Sequence, residues 1–416
     1  MSALKFIQSF FQRKGGYILF ASYFAKLITF AISVFIIRIL PKEEFGYIAY
    51  AATIISFIAP FKGFGMDQGL LRYGSIANSQ QLKKLYFNNT LKKGLLYSFI
   101  TALTIALLAP VLSINMEDAL VFIIIMSVQI VSLLLMESIK IYCRIIHLNK
   151  LYAHIIIYQN ALLFVGVVSA TWFFGAFGYV ISLVTIPLLF GLFLIFKLHL
   201  LKYNKNQVVL ESNRSFLSYG FYMSLGGMLS QLLYAVDIML IGNLIKDSVA
   251  VAQYKAANII PFSLLILPIA ILTTDFVHII NKVKKSKKEI WTYYLNYLKV
   301  MTIICLGILG VFYFFSTDIL KIFGKEYNND QHLMFIFSIG VVGALLLRIP
   351  LGNILSAIGW PKINALFSVI VLAINLVAGY YCVVHYGILG AAYTTIALMW
   401  FSGILSLFAL IYYLRK

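Results

Sequence analysis

The chain has 416 residues, of which 62% are hydrophobic and only 11% are charged, and its mean hydropathy is +0.94. Soluble domains carry about 25% charged residues, so this chain cannot cover a globule of its size with polar surface. A soluble enzyme, a DNA-binding protein and a disordered chain are therefore excluded as descriptions of the whole chain. The net charge of +19 comes from basic residues in short segments between apolar runs, which indicates membrane topology and not a nucleic-acid partner.

Twelve apolar stretches are long enough to cross a bilayer, which takes roughly 20 residues of helix. Backbone groups inside a bilayer have no water to bond, so stretches of this length are expected to be helical. Residues 4–14 are expected to form a short helix on the membrane surface. The sequence thus predicts an all-α integral membrane protein with spans at residues 16–40, 45–66, 94–114, 119–142, 152–174, 178–200, 216–245, 251–280, 292–316, 332–357, 362–385 and 388–414.

The distribution of Lys and Arg predicts the orientation of these spans. With both termini in the cytoplasm, 22 basic residues fall on the inner side, 5 on the outer side and 6 within the spans. Cytoplasmic loops of membrane proteins carry an excess of Lys and Arg. This asymmetry predicts a multi-pass membrane protein with both termini in the cytoplasm, and it accounts for most of the net charge.

The chain also repeats at about half its length. Tyr50 and its neighbours match those of Tyr254 at an offset of 204, and the Gly-x-x-Gly of Gly175 matches that of Gly387 at an offset of 212. Each Gly-x-x-Gly is predicted to be a tight turn between the last two spans of its half. We expect two parallel six-helix lobes at residues 1–200 and 216–416, joined by a cytoplasmic linker at 201–215, around a central cavity.

Lys26 lies near the middle of the first predicted span. Ser22, Lys26, Thr29 and Ser33 are spaced by four, three and four residues, so they share one helical face. A polar stripe on an apolar helix is typical of a helix that faces a water-filled cavity. We interpret Lys26 as a lining residue of the cavity, and the alternative is a lysine paired with a carboxylate for packing alone.

Asp237 in the seventh span and Lys255 in the eighth lie on helices joined by a short loop, so the two groups are candidates for contact. One interpretation is a buried ion pair that fixes the second lobe. The other makes Asp237 a proton or sodium site that couples transport to an ion gradient, and makes Lys255 a substrate-binding cation.

Glu137 and Lys140 in the fourth span are spaced by three residues, which permits a local ion pair, and Glu137 is a second candidate coupling group. Lys62 lies near the cytoplasmic end of its span and is expected to extend towards the interface. Arg348 precedes Pro350, where a kink is expected, and Pro60 is expected to break the second span.

Six cations within the spans face three carboxylates, Glu137, Asp237 and Asp275. This excess predicts a cationic interior that suits an anionic, phosphate-bearing cargo better than a cationic drug. The predicted cationic lining consists of Lys26, Lys255, Arg348, Lys62 and Lys140.

Motifs for bond-making chemistry and for cofactors are absent from the sequence. It has no Gly-rich phosphate loop for ATP and no His-Glu-x-x-His, and its three cysteines have no metal-ligand spacing. We therefore expect no enzyme activity, no metal and no cofactor.

Several stretches of the chain, taken in order, resemble polysaccharide flippases of the Wzx type, which belong to the multidrug/oligosaccharidyl-lipid/polysaccharide exporter superfamily. The resemblance rests on residues 35–47, which include Arg38-Ile-Leu-Pro41, on Phe64-Gly-Met-Asp-Gln-Gly-Leu-Leu-Arg-Tyr73, and on residues 237–245, 251–257, 353–362 and 386–392.

The resemblance implies flipping of undecaprenyl-pyrophosphate-linked oligosaccharide repeat units of O-antigen or capsule to the outer leaflet, by alternating access through a cationic cavity. It implies a two-lobe fold like that of drug exporters and lipid flippases, contact with membrane lipid, and the polymerase and chain-length regulator of the pathway as candidate partners. A cation-coupled drug exporter of the same fold and a polytopic O-antigen polymerase are the alternatives.

Overall fold

The structure is a computed structural model that describes residues 15–200, 213–265, 279, 286–324, 327, 330–358 and 360–415. Within these ranges the chain is helical and contains no β-strand. The prediction of an all-α membrane protein is confirmed, and the count of twelve spans stays a prediction. The predicted surface helix at residues 4–14, Asp275 and most of the predicted linker lie outside the described residues.

In chain order, the described residues form a series of helices. They are α1 (Gly15–Ile39), α2 (Lys42–Ile58), α3 (Met66–Ile76), α4 (Gln80–Asn89), α5 (Leu95–Leu112), α6 (Ala119–Ser127), α7 (Gln129–Ile145), α8 (Asn149–Lys197), α9 (Asn213–Leu244), α10 (Ser248–Ser263), α11 (Lys287–Leu320), α12 (Gln331–Gly343), α13 (Ile349–Ala357) and α14 (Pro361–Arg415). A 3₁₀ segment at Ala59–Gly65 joins α2 to α3, and π turns at Thr90–Gly94 and Ala344–Arg348 precede α5 and α13.

Seven helical stretches among the described residues are long and apolar enough to cross a membrane. Many large apolar side chains lie on the outside, and Phe173, Phe314 and Val377 are each at least 75% exposed. Exposing so many apolar side chains to water would be energetically unfavourable, whereas the hydrocarbon core of a bilayer solvates them. The exposed apolar surface therefore agrees with a chain that lies in the membrane.

Helices α8 and α14 are each two spans joined by a glycine. Helix α8 has 49 residues, which is ~73 Å at 1.5 Å per residue, far more than the ~30 Å hydrocarbon core. The helical path breaks at Gly175 and at Gly387, which share the same backbone angles, φ 58° and ψ −139°. These angles favour glycine. The predicted turns in the two halves are confirmed, and their identical geometry supports the internal repeat.

The chain divides into two compact units, which we call unit 1 (residues 1–231) and unit 2 (residues 232–416), and the division falls inside α9. The core of unit 1 includes Phe87 stacked on Tyr142, with ring centroids 4.5 Å apart. The core of unit 2 is built around Tyr294, Tyr297 and Leu345. The division into lobes predicted from the sequence, with a linker at 201–215, stays a prediction.

The second predicted span is interrupted directly after Pro60. Gly63, Phe64 and Gly65 have φ angles of 56°, 51° and 75°, so three successive residues adopt the left-handed conformation. A Cβ at Gly65 would collide with the carbonyl of Gly220, because α9 passes directly against this segment within unit 1. The predicted break at Pro60 is confirmed, and it takes residues 62–65 off the helical path between α2 and α3.

The π turn before α13 leaves backbone carbonyls that other residues satisfy. The N–H of Ile349 bonds the carbonyl of Ala344, five residues back, and Pro350 has no N–H to offer. The hydroxyl of Tyr297 donates to the carbonyl of Leu345 at 2.9 Å, and that of Tyr294 donates to Leu346 at 3.3 Å. These bonds fix the turn that carries Arg348.

Candidate functional site

Unit 1 contains a cavity of about 880 Å³, which is within the ~300–1,000 Å³ typical of ligand sites. Much of its wall is apolar, from residues such as Ile55, Leu133 and Leu183. The polar part of the wall is unusual for a membrane protein because it holds two lysines, a carboxylate and four glutamines. These polar residues are Ser56, Lys62, Gln68, Gln129, Glu137, Lys140, Gln159, Tyr222, Ser224 and Gln231.

Lys62 is paired with a carboxylate that is completely buried. Its Nζ lies 2.7 Å from Oδ2 of Asp67, whose side chain has 0% exposure, while that of Lys62 has 13%. The amide of Gln68 also donates to Oδ2 at 3.3 Å, and Oδ1 has no partner among the described residues. The expectation that Lys62 extends to the interface was wrong, because the break at residues 62–65 turns it towards Asp67.

Glu137 and Lys140 form the predicted local pair, with Nζ of Lys140 2.7 Å from Oε2 of Glu137. Both side chains are partly exposed, at 20% for Lys140 and 36% for Glu137, and both line the cavity. Each lysine of the cavity thus has a carboxylate beside it. The amides of Gln129, Gln159 and Gln231 have no hydrogen-bond partner among the described residues, so they are available to a ligand.

Lys26 lies on α1, and its side chain is exposed and is not part of the wall of the unit 1 cavity. The hydroxyl of Thr29 donates to the carbonyl of Ala25 at 2.9 Å, and that of Ser33 donates to Thr29 at 3.0 Å. The side chain of Ser22 lies outside the described part of the structure. On the predicted polar face, Lys26 is therefore the group left available for an external partner.

Asp237 is buried at 5% exposure in unit 2 and is held by three neutral donors. The hydroxyl of Tyr254 donates to Oδ2 at 2.8 Å, the hydroxyl of Thr395 donates to the same oxygen, and the amide of Asn375 donates to Oδ1 at 3.3 Å. Oδ1 of Asn375 is buried and without a partner among the described residues. This network brings α9, α10 and both halves of α14 to one carboxylate.

Lys255 does not pair with Asp237. No carboxylate of the described residues lies within salt-bridge distance of Lys255. The residue that contacts Asp237 is the adjacent Tyr254 and not Lys255, which the sequence analysis had considered as its partner. The reason is rotation: successive residues of a helix point about 100° apart, so only one of the two can face α9. Lys255 itself is half-buried.

Arg348 lies in unit 2 and lines a separate pocket of about 140 Å³. The predicted cations are thus distributed over distinct places. Lys62 and Lys140 share the unit 1 cavity, whereas Lys26 lies elsewhere on unit 1, and Lys255 and Arg348 lie in unit 2.

Sequence reasoning missed several polar residues of these sites. Asp67 was not considered as a partner of Lys62 because the second predicted span ends at residue 66. Its position five residues after a lysine within that span could have indicated an ion pair. Asn375 and Thr395 gave no signal because single polar residues are common in apolar helices. Tyr254 was identified as a repeat position but not as a partner of Asp237.

An all-helical membrane chain with a polar, ion-paired cavity has the architecture of a membrane transporter. Solved structures show the same fold: the chain resembles the lipid II flippase MurJ in an inward closed conformation, with a TM-score of 0.73, 15% identity, and coverage of 95% of this chain and 87% of that one. It also resembles an inward-facing multidrug resistance MATE transporter of the MOP superfamily, with a TM-score of 0.69, 14% identity and 94% coverage of both chains. At these identities the likeness shows the fold.

Residues 35–330 match the family of polysaccharide biosynthesis proteins, and the chain belongs to this family. A curated relative, named "Putative O-antigen transporter", from Shigella flexneri is 31% identical over 176 residues. That match covers 42% of this chain and 41% of the relative. The resemblance noted in the sequence is confirmed. The curated relative is named as a transporter and the structural neighbours as a flippase and a drug transporter, which agrees with the expectation that the chain is not an enzyme.

Proposed function

We propose that this protein flips undecaprenyl-pyrophosphate-linked oligosaccharide repeat units, of O-antigen or capsule, from the inner to the outer leaflet of the bacterial inner membrane. The observation that carries the proposal is the unit 1 cavity, which places amides and ion pairs in an otherwise apolar membrane chain. Such a cavity gives a hydrophilic headgroup a path through the hydrocarbon region while its lipid tail stays in the bilayer.

The chemistry of the cavity suits a glycan headgroup. An amide side chain has two donors and an acceptor, which complement the hydroxyls of a sugar, and Gln129, Gln159 and Gln231 are free to make such bonds. Lys62 and Lys140 add hydrogen-bond donors and are each balanced by a carboxylate. Lys26, Lys255 and Arg348 are the further cations proposed to meet the pyrophosphate or acidic sugars during alternating access.

The network of Asp237 is the proposed coupling site. A buried carboxylate with neutral neighbours can be neutralised by a proton or by a bound cation such as sodium. The unpartnered Oδ1 of Asn375 and the hydroxyls of Tyr254 and Thr395 offer further oxygen ligands beside it. Glu137 is the weaker candidate for coupling because Lys140 already balances its charge.

The proposed setting is the glycan assembly machinery of the cell envelope. The excess of basic residues in the predicted inner loops favours termini in the cytoplasm, and the polymerase and chain-length regulator of the same pathway are candidate partners. The proposal calls for no cofactor.

The experiment that tests the proposed function uses a strain that lacks this gene and keeps its glycan genes. Membrane lipids are extracted, and lipid-linked oligosaccharides are identified by mass spectrometry. We expect accumulation of complete single repeat units that are inaccessible from the periplasm, with loss of the surface polymer. Single units exposed on the periplasmic side would point to a polymerase, and no accumulation together with new drug sensitivity would point to a drug exporter.

Replacing Lys26 with alanine is expected to abolish surface polysaccharide while the amount of folded protein in the membrane stays unchanged. Lys26 is proposed to bind the anionic headgroup, so its truncation removes a binding cation, and because its side chain is exposed we expect the fold to be kept. Surface polymer and membrane protein level are measured in the complemented deletion strain, with Lys42→Ala as the control at the start of the next helix. Full surface polymer in the Lys26→Ala strain would contradict the role of Lys26.

A further inference from the structure

The second pocket, in unit 2, is lined by one cation and several small polar side chains. Its wall consists of Arg348, Gly352, Asn364, Phe367, Ser368, Val371, Ser402 and Ser406. These residues come from the π turn, from α13 and from the two halves of α14, so four helical segments enclose the pocket. Among the residues that the structure describes, no carboxylate is part of this wall.

Arg348 is the one charged group of this wall, and the described residues offer it no ion-pair or hydrogen-bond partner. The π turn fixes its position, because Tyr294 and Tyr297 bond the carbonyls of that turn. π turns inside α-helices occur frequently at functional sites. A guanidinium has five N–H donors in a planar fork that matches phosphate oxygens.

The internal repeat provides a comparison between the two units. At the offset of 212 residues that relates Gly175 to Gly387, Lys140 corresponds to Gly352 and Gln159 to Val371, and both of the latter line the unit 2 pocket. Two positions of the repeat thus line an opening in both units. In unit 1 the lysine there is balanced by Glu137, whereas in unit 2 Arg348 is unbalanced among the described residues.

The volume of the unit 2 pocket limits what it can hold. Its 140 Å³ corresponds to roughly five water molecules at ~30 Å³ each. One phosphate group is of that size, whereas a hexose is larger. The hydroxyls of Ser402 and Ser406 now donate to backbone carbonyls at 3.0 and 2.9 Å, and a hydroxyl hydrogen can rotate towards a bound anion.

We infer that the pocket around Arg348 is a binding site for one phosphate-class anion, separate from the unit 1 cavity. This deepens the proposed function, since it assigns the phosphate end of the cargo to unit 2 and leaves the glutamine-lined cavity to the sugars. The identity of the cargo rests on the proposed function, but the binding of a phosphate group does not. The ligand is either an isoprenoid diphosphate or the headgroup of a membrane phospholipid.

The test measures binding of inorganic pyrophosphate by calorimetry to the full-length protein in phosphatidylcholine nanodiscs. We expect saturable binding that Arg348→Gln weakens at least about tenfold, since it removes the charge and the fork of donors. The control Lys362→Gln removes an exposed cation at the start of α14 and is expected to leave binding unchanged. Equal binding by Arg348→Gln and the wild type would overturn the inference.

A second variant keeps the arginine and tests the pocket itself. Ser368→Asp adds a carboxylate to the wall that Arg348 also lines, by analogy with the Glu137–Lys140 pair of unit 1. This negative charge is expected to weaken pyrophosphate binding about tenfold or more. If Arg348→Gln fails to fold, Ser368→Asp tests the inference in its place, and wild-type pyrophosphate binding by Ser368→Asp would then overturn it. Binding that is lost in Lys140→Gln but kept in Arg348→Gln would move the anion to unit 1 and overturn the inference.

Competition identifies the source of the phosphate. Displacement of pyrophosphate by farnesyl pyrophosphate supports an isoprenoid diphosphate, and displacement by phosphatidylglycerol in the nanodisc supports a membrane headgroup. Failure of the proposed function is a separate result: a deletion strain without accumulated lipid-linked oligosaccharide rejects flipping, whereas pyrophosphate binding that is independent of Arg348 rejects this site alone.

Discussion

Replacing Lys62 with methionine is expected to lower the stability of the protein by about 3–5 kcal/mol, because it leaves the buried carboxylate of Asp67 without its cation. Asp67 has 0% exposure, and the only other hydrogen bond that it accepts from a described side chain is a single amide contact of 3.3 Å from Gln68. Thermal unfolding of the purified protein in detergent, followed by the loss of its monodisperse elution peak, measures the effect.

Two comparisons make this result specific. The double variant Lys62→Met/Asp67→Leu removes both charges and is expected to recover most of the loss, since two apolar side chains need no ion pair. Lys140→Met breaks the more exposed pair with Glu137 and is expected to cost at most about 1 kcal/mol. A Lys62→Met protein as stable as the wild type would contradict the buried pair.

The local backbone explains why the Lys62–Asp67 pair matters. Phe64 is not a glycine and has a φ of 51°, a conformation that costs of order 1–3 kcal/mol and persists only where its surroundings hold it. The ring of Phe64 stacks on Tyr97 with centroids 5.0 Å apart, and Lys62 bridges the break to Asp67. Loss of the bridge therefore affects the shape of the cavity wall as well as the charge.

Replacing Asp237 with asparagine is expected to reduce flipping about tenfold or more while the folded state is kept. Asparagine has nearly the same shape and can still accept a hydrogen bond from Tyr254, but it can neither take up a proton nor balance a cation. Uptake of a labelled lipid-linked oligosaccharide into inverted membrane vesicles is measured with a proton gradient, with a sodium gradient and with neither.

The control for this prediction is Asp318→Asn, which changes an exposed carboxylate of unit 2 paired with Lys321 on the surface. It is expected to transport like the wild type. Transport by Asp237→Asn at the wild-type rate, with the same dependence on the gradient, would remove Asp237 from the coupling mechanism. A gradient dependence lost only in Glu137→Gln would assign coupling to unit 1.

Much of the architecture could be predicted from the sequence because it depends on local pattern. Long apolar runs form membrane helices because a helix satisfies the backbone hydrogen bonds internally, where the bilayer offers no water to bond. Pro60 breaks its helix because it lacks an N–H, and Gly175 and Gly387 form equal turns because glycine tolerates a positive φ. The Glu137–Lys140 pair follows from a spacing of three residues on one helix.

The partners of the other charged groups were decided by the tertiary structure alone. Asp237 is bound by residues 17, 138 and 158 positions away, and which of Tyr254 and Lys255 faces it depends on how α10 is rotated about its axis. Lys62 reaches Asp67 only because the backbone between them leaves the helical path. The sequence by itself determined a basic, all-helical membrane protein with repeated turns, since hydrophobicity and backbone geometry act over short spacings. The partners of its buried charged groups depend on how whole helices pack. Contacts between helices are decided by the rotation of each helix about its axis and by its position along the neighbouring helix, and residue spacing within one helix predicts neither.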